Sequence, residues 1–233
     1  MPDLIEPWMP RLSEGADALG LTLSERVRRQ LLAYLALIAR WNKAYNLTAV
    51  RDPSAMLTQH LLDSLAVVPS LRRYLGPGKH AAAEGSSVAG GQGRLLDVGS
   101  GAGLPGVVLA IVEPCWSVTC VDAVGKKAIF IRQVAAELGL PNLRALHTRV
   151  ETMSDPAGFD VITSRAFASL SDFVAWTSHL LKPNGCWLAM KGRAPDDERA
   201  AMPPDVNVFH VEPLKVPELN AQRCLVWMKK EST

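Results

Sequence analysis

Residues 95–106 read LLDVGSGAGLPG, and the apolar run VVLAIV follows directly. This segment constrains the chain more than any other. A short buried strand enters a turn rich in glycine and leaves it as a helix. That unit opens a doubly wound parallel sheet, and ligands of such sheets bind outside the carboxyl ends of the strands. A glycine turn with no ligand is the poorer explanation, because clustered glycines cost backbone entropy without adding packing.

The chain beyond this turn keeps the same rhythm. Apolar runs of strand length cover Arg94–Val98, Ser117–Val121, Leu143–His147, Phe159–Thr163, Gly185–Met190, Asn207–Val211 and Arg223–Met228. Helical patterns lie between them at Pro105–Val112, Lys126–Leu138, Leu170–Leu181 and Asp196–Met202. Alternation of this kind predicts an α/β fold, a parallel sheet with helices on both faces.

The residues before the turn are helical. Ser24 is placed as an N-cap, and Val27, Leu31, Leu35 and Ile38 follow at helical spacing. Asp52-Pro53 predicts the start of a second helix carrying Met56, Leu57, Leu61, Leu62, Leu65 and Val68. A shorter helix is predicted over Arg11–Leu19. Six of the 18 residues from Gly76 to Gly93 are glycine, and the stretch is longer than a connection inside a compact domain. Three parts result: an N-terminal helical cap over 1–75, a Gly-rich linker or insertion over 76–93, and the sheet domain over 94–233.

Composition removes several classes. Of 233 residues, 48% are hydrophobic and 21% charged, ordinary values for a globular chain. The apolar window 107–112 is far shorter than the roughly 20 residues of a spanning helix. The start, MPDLIEPWMP, is no basic leader, so a cytoplasmic protein is expected, and Asn46-Leu47-Thr48 is not read as a glycosylation site. Cys115, Cys120, Cys186 and Cys224 form no C-x-x-C pair, and the five histidines complete no zinc pattern. They are read as reduced and mostly buried, and no metal is expected. A formal net charge of +2 excludes a purely electrostatic nucleic-acid binder but leaves room for one local basic patch.

Two ligands compete for the turn. Gly101, Gly103 and Gly106 match the dinucleotide fingerprint G-x-G-x-x-G, and Asp122 at the end of the next strand is placed to grip a ribose. Asp97 discriminates between them. A nicotinamide dinucleotide would bring a pyrophosphate dianion beside this carboxylate, which repels it. S-adenosylmethionine brings an ammonium and a sulfonium, and an acid at the strand end favours both. Gly99 and Gly101 then let the backbone come close to the methionine moiety.

The chain resembles the bacterial 16S rRNA guanine-N7 methyltransferase family. The resemblance rests on WNKAYNLTAVRDP (41–53), HLLDSL (60–65), DVGSGAGLPG (97–106), the Asp122–Lys127 run, RVE (149–151), TSRAFASL (163–170) and LAMKG (188–192). It implies a Rossmann-like, class I S-adenosylmethionine-dependent methyltransferase sheet of seven strands with the last one antiparallel. The stretch 76–93 departs from the family, where this connection is usually shorter. Cofactor contacts carry over to Gly99, Leu104, Val150, Glu151 and Arg165. Val150 and Glu151 follow the third strand, where a backbone N–H suits an adenine acceptor and a carboxylate its exocyclic amine. Leu104 is expected to cover an apolar part of the cofactor. The implied substrate is a guanine in the 530-loop region of 16S rRNA, free or within the 30S subunit or an assembly intermediate.

That chemistry agrees with what the residues omit. Guanine N7 is a bare acceptor with no proton to remove, so no general base is required. Thr163-Ser164-Arg165-Ala166-Phe167 after the fourth strand holds neither an N-P-P-Y motif nor a Pro-Cys nucleophile. Arg165 is read as gripping the cofactor carboxylate or an RNA phosphate. Two readings stay open for Lys126, Lys127, Arg144, Arg149 and Lys191: an RNA-facing rim or a solvated face. Phe167 either stacks on a base or packs. Trp41, Tyr45 and His60 either dock the cap or face RNA, and His60 with Asp63 is read as an ordinary hydrogen-bonding pair.

Overall fold

The computed structural model describes residues 6–75, 93–193, 196–199 and 201–231. Strands β1 (Gly93–Val98), β2 (Trp116–Asp122), β3 (Leu143–His147), β4 (Phe159–Arg165), β5 (Leu181–Lys191), β6 (Val206–Pro213) and β7 (Cys224–Lys230) form one sheet. Its order is β3-β2-β1-β4-β5-β7-β6. β1 pairs in parallel with β2 and β4, β2 with β3, and β4 with β5, whereas β7 runs antiparallel to β5 and β6. The chain moves outward from β1 to β3 and then returns to the other side of β1. The crevice beside β1 is therefore the switch point of the sheet.

Alternation along the strands sorts the side chains onto two faces. Leu95, Val118, Cys120, Val161, Cys186 and Leu188 join one core, and Leu96, Val98, Val121, Ile162, Trp187 and Val226 the other. On the second face lies α8 (Leu170–Thr177), whose Leu170, Phe173 and Val174 enter that core. The first face carries α6 (Gly106–Val112) and α7 (Gly125–Glu137) and also the N-terminal helices.

The cap comprises α1 (Met9–Ala18), α2 (Glu25–Tyr45), α3 (Pro53–Met56), a π-helical turn over Leu57–Leu62, α4 (Asp63–Leu65) and α5 (Val68–Leu75). Both predicted N-caps form. Ser24 Oγ accepts the Val27 N–H at 3.4 Å, and the Asp52 carboxylate accepts the Ala55 N–H at 2.7 Å. Leu31, Ile38, Leu57, Leu61 and Leu62 share one apolar core with Val107, Val108 and Ile131 of the sheet helices. Trp41 lies 5.1 Å from Tyr45 and 5.4 Å from Phe130 of α7, ring to ring, which is the docking arrangement. The cap thus forms one wall of the core that it shares with the sheet.

Several boundaries differ from the sequence expectation, most of them by one or two residues, and four bear on the core. The helix from Asp52 is not continuous: it widens into the π turn and breaks again at Ala66–Val67. α8 stops at Thr177, whose hydroxyl donates back to the Phe173 carbonyl at 2.6 Å and accepts the Trp187 indole N–H at 2.8 Å. A 3-10 turn over Ser178–Leu180 then leads into β5, which begins at Leu181 because Leu181 pairs with Phe159 across an irregularity. Gly93 belongs to β1, and a Cβ there would stand 2.7 Å from the Trp116 ring. The rest of the Gly-rich stretch, 76–92, lies outside the described residues.

One hydrogen bond ties the cap to the glycine turn. The buried Tyr34 hydroxyl of α2 donates to the Ala102 carbonyl at 2.6 Å. Tyr34→Phe leaves that carbonyl buried and unpaired, so the free energy of unfolding is expected to fall by about 1–3 kcal/mol. Urea unfolding with an unchanged m-value is the measurement, and wild-type stability would contradict the bond's role.

Candidate functional site

Register places the functional side chains before any chemistry is considered. Asp97 and Asp122 follow Leu95 and Cys120 by two residues, and Arg165 follows Val161 by four. All three therefore point to the cap-facing side of the sheet. Val98 pairs with Val121 and with Ser164, so these residues also stand at the same carboxyl edge, on adjacent strands.

The glycine turn hangs from β2. Gly99 N–H and Ser100 N–H donate to the Val121 carbonyl at 2.9 and 3.2 Å. Asp122, nearly buried, holds the turn and the start of α7 together: Oδ2 accepts the Gly101 N–H at 2.9 Å and Oδ1 the Val124 N–H at 2.8 Å. Lys127 Nζ lies 3.6 Å from the same carboxylate. Each carboxylate oxygen keeps a further acceptor site.

Asp97 lies under the turn instead of on its surface. The residue is 0% exposed, Oδ2 accepts the Gly106 N–H at 2.9 Å, and Oδ1 is buried with no partner. A Cβ at position 106 would stand 2.7 Å from Oδ2, so the glycine there lets the carboxylate sit beneath the helix start. Burial pushes the Asp97 carboxyl up to about 7, against the Gly106 N–H, the charge of Arg165 and Ser100, which pull it down. The Leu104 side chain is likewise buried and joins the apolar core, where burial stabilises it.

Gly99 and Gly101 have φ of +63° and +59°. A Cβ at 99 would stand 2.7 Å from the Phe167 ring, so Phe167 lies directly over the turn. That ring also packs edge-on to Phe173 and Trp176, at 6.1 and 5.6 Å. Ala166, between Arg165 and Phe167, holds a left-handed φ of +54°, backbone strain of the kind found at functional sites. Val150 and Glu151 stand on a 3-10 turn beyond β3, Val150 buried and Glu151 exposed. Asp122 pairs with His147 in register, which sets that turn beside Asp122.

Arg165 is already engaged. Its Nη1 donates to Asp63 Oδ2 at 2.9 Å and to the Gln59 carbonyl at 2.7 Å, both on the cap. Asp63 also takes Arg223 Nε at 2.9 Å. The expected His60–Asp63 pair does not form: Asp63, a carboxylate buried among Leu61, Leu62 and Leu65, takes charged partners from the sheet instead. His60 bonds Thr48 through Nε2 at 3.0 Å, and burial, aided by the charge of Arg165, pushes it down to about 4. Of the candidate rim, Lys191 is held by Glu198 at 2.9 Å, Arg144 stands 3.8 Å from Asp155, and Lys127 faces Asp122. Lys126 and Arg149 are exposed and carry no ion pair among the described residues. No His, Cys, Asp and Glu group among these residues has a metal-binding arrangement.

Comparison with known proteins agrees with this geometry. Residues 27–226 match the family described as rRNA small subunit methyltransferase G. A protein of that name from Acidovorax sp. (strain JS42) is 60% identical over 219 residues, covering 94% of this chain and 93% of the relative. Another, from Polaromonas naphthalenivorans (strain CJ2), is 56% identical over 221 residues, covering 95% of each. Among solved structures, TrmN from Thermus thermophilus aligns with TM-score 0.51 at 18% identity, over 75% of this chain and 53% of that one. At that identity the likeness concerns the fold alone.

The buried Asp97 carboxyl predicts a pH dependence. Its folded value, about 7, lies above the ordinary 3.8, so the folded protein keeps a proton that the unfolded chain releases. The stability from this group is complete below pH 4, declines as pH rises, and is lost above 7. Asp97→Asn removes the titration. The wild type is expected to lose up to about 4 kcal/mol relative to Asp97→Asn between pH 4 and 8. Urea unfolding across that range reads the difference, and parallel curves for the two proteins would refute it.

Proposed function

The chain belongs to the rRNA small subunit methyltransferase G family, and from that premise we propose that it transfers a methyl group from S-adenosylmethionine to N7 of a guanine in the 530-loop region of 16S rRNA. The observation that carries this reading is the meeting of Asp97, Asp122 and Arg165 on one face of the sheet around a glycine turn at the switch point. The residues fit the donor. A Cβ at Gly99 would press on the Phe167 ring over the turn, so the glycine keeps that space narrow but open to backbone approach, and the unpaired Asp97 Oδ1 keeps an acceptor site beneath it.

S-adenosylmethionine supplies an electrophilic methyl group on a positively charged sulfur. The chain binds and orients. Gly99 and Gly101 bring backbone close to the amino-acid end, with Leu104 forming the floor of the turn. Asp122 accepts a ribose hydroxyl. Val150 offers its N–H, and Glu151 its carboxylate, to the adenine. Arg165 takes a carboxylate or a phosphate with its planar fork. The acceptor nitrogen carries no proton, so no side chain is needed as a base. Positioning is the main lever, able to supply about 7–11 kcal/mol when the reacting atoms are aligned. His60, held neutral and bonded to Thr48, has no part in proton transfer.

Lys126 and Arg149 are the open cations of the RNA-facing edge, and the substrate is 16S rRNA within the 30S subunit or an assembly intermediate. A cytoplasmic location follows from that substrate. No helix among the described residues is long and apolar enough to cross a membrane.

Incubation with S-adenosylmethionine and 30S subunits from cells lacking the activity is expected to create one new site of borohydride–aniline cleavage, at the N7-methylated guanine. No new cleavage at any guanine sinks the proposal. Asp97→Ala and Arg165→Ala are expected to lose donor binding or turnover while remaining folded by circular dichroism. Wild-type turnover in both would overturn the assignment of the site.

A further inference from the structure

We propose that Asp63 is a positioning residue for the reaction, and that the irregular cap helix over Leu57–Leu62 forms a socket with it that fixes the Arg165 guanidinium. The inference rests on the reading of Arg165 as a ligand-gripping residue.

The buried carboxylate comes first. Asp63 is 1% exposed and lies among fully buried leucines, where an uncompensated charge is strongly unfavourable. Two guanidinium groups meet it, one on each oxygen. Arg165 Nη1 bonds Oδ2 and Arg223 Nε bonds Oδ1, both at 2.9 Å. One negative charge against two positive ones leaves this three-residue cluster with one net positive charge. His60, its neighbour on the cap, adds none, because it is neutral at physiological pH.

The backbone supplies the second contact. In a regular α-helix the Asp63 N–H would bond the carbonyl four residues back, that of Gln59. Here the Asp63 N–H turns to the carbonyls of Thr58 and His60. The Gln59 carbonyl is thereby released, and Arg165 Nη1 donates to it at 2.7 Å. π-helical widening of this kind often marks functional sites. The freed carbonyl and the buried carboxylate converge on a single nitrogen.

The geometry of Arg165 then follows. It is the last residue of β4, and the left-handed Ala166 turns the chain away immediately after it. With Nη1 held at two points, the guanidinium plane is fixed. Nε and Nη2 make no hydrogen bond to the described residues, and they form a planar edge suited to an oxyanion. That oxyanion is either the carboxylate of the methyl donor or a phosphate of the RNA.

The test compares Asp63→Asn with Arg223→Gln in the full-length protein. Arg223→Gln cuts the other half of the same cap–sheet tie but leaves the Arg165 contacts in place. Calorimetry measures binding of S-adenosylhomocysteine and of 5′-methylthioadenosine, which lacks the amino-acid end. Steady-state methylation of 30S subunits gives KM for the RNA. If the ligand is the donor carboxylate, Asp63→Asn weakens S-adenosylhomocysteine tenfold or more and leaves methylthioadenosine within twofold. If it is a phosphate, the KM for 30S subunits rises tenfold with donor binding unchanged. Either result supports the proposal when Arg223→Gln stays within twofold throughout. Equal losses in the two variants, or equal loss of both nucleosides in Asp63→Asn, would overturn it by reducing Asp63 to a structural tie. Asp63→Glu keeps a paired charge and carries the same comparison should Asp63→Asn not fold. Arg165→Gln separates the failures. Wild-type binding and turnover there overturn the reading of Arg165 itself. Loss there with no effect of Asp63→Asn overturns only the positioning role.

Discussion

The site depends on the two-residue alternation of a β-strand. Asp97, Asp122 and Arg165 occupy positions that share a face with Leu95, Cys120 and Val161, the face that the cap covers. A shift of one residue in any of these strands would send its functional side chain to the opposite core, beside Leu96 or Ile162. The continuous apolar packing of β1, β2 and β4 on both faces pins that register. Precision at the carboxyl edge is thus inherited from the core below it.

The same alternation sets the electrostatic problem of the molecule. A face that is covered by helices receives two carboxylates and a guanidinium. Each is settled differently. Asp122 is buried but satisfied by two backbone N–H groups and a nearby lysine. Asp97 is sealed under the turn with one N–H partner, and its carboxyl rises to about 7 as a result. Arg165 is met by a carboxylate that the cap contributes for the purpose. The cap is therefore part of the site's charge balance. Its removal would expose apolar core and leave Arg165 without its partners in the same step.

Much of this was legible in the amino-acid sequence. The glycine turn, the strand rhythm and the two N-caps are local signals, and the structure follows them closely. What escaped was set by partners distant in the chain. The apolar positions Met56, Leu57, Leu61, Leu62 and Leu65 suit a regular helix and a widened one equally well. The widened form instead meets Arg165, 106 residues away, which takes the Gln59 carbonyl. Arg223, 160 residues from Asp63, gives no local sign of its role. For Asp97 the residue type was informative, but its depth was not. Whether an acid at a strand end faces solvent or lies beneath the turn depends on Gly106, whose missing side chain makes room for it.

The formal net charge of +2 also acquires a physical meaning. Binding to RNA by general attraction would require many unpaired cations. Here most of the cations near the site are committed to internal partners: Lys127 to Asp122, Lys191 to Glu198, Arg165 and Arg223 to Asp63. Such pairing spends charge on shape. It leaves Lys126 and Arg149 exposed and without an ion pair among the described residues. On the proposed reading, a surface of this kind would discriminate by the fit of one folded RNA element, where phosphate positions are fixed, and would gain little from unstructured RNA. A methyl transfer that needs no proton removal places its whole demand on alignment, and a rigid, mostly neutralised edge is suited to meet it.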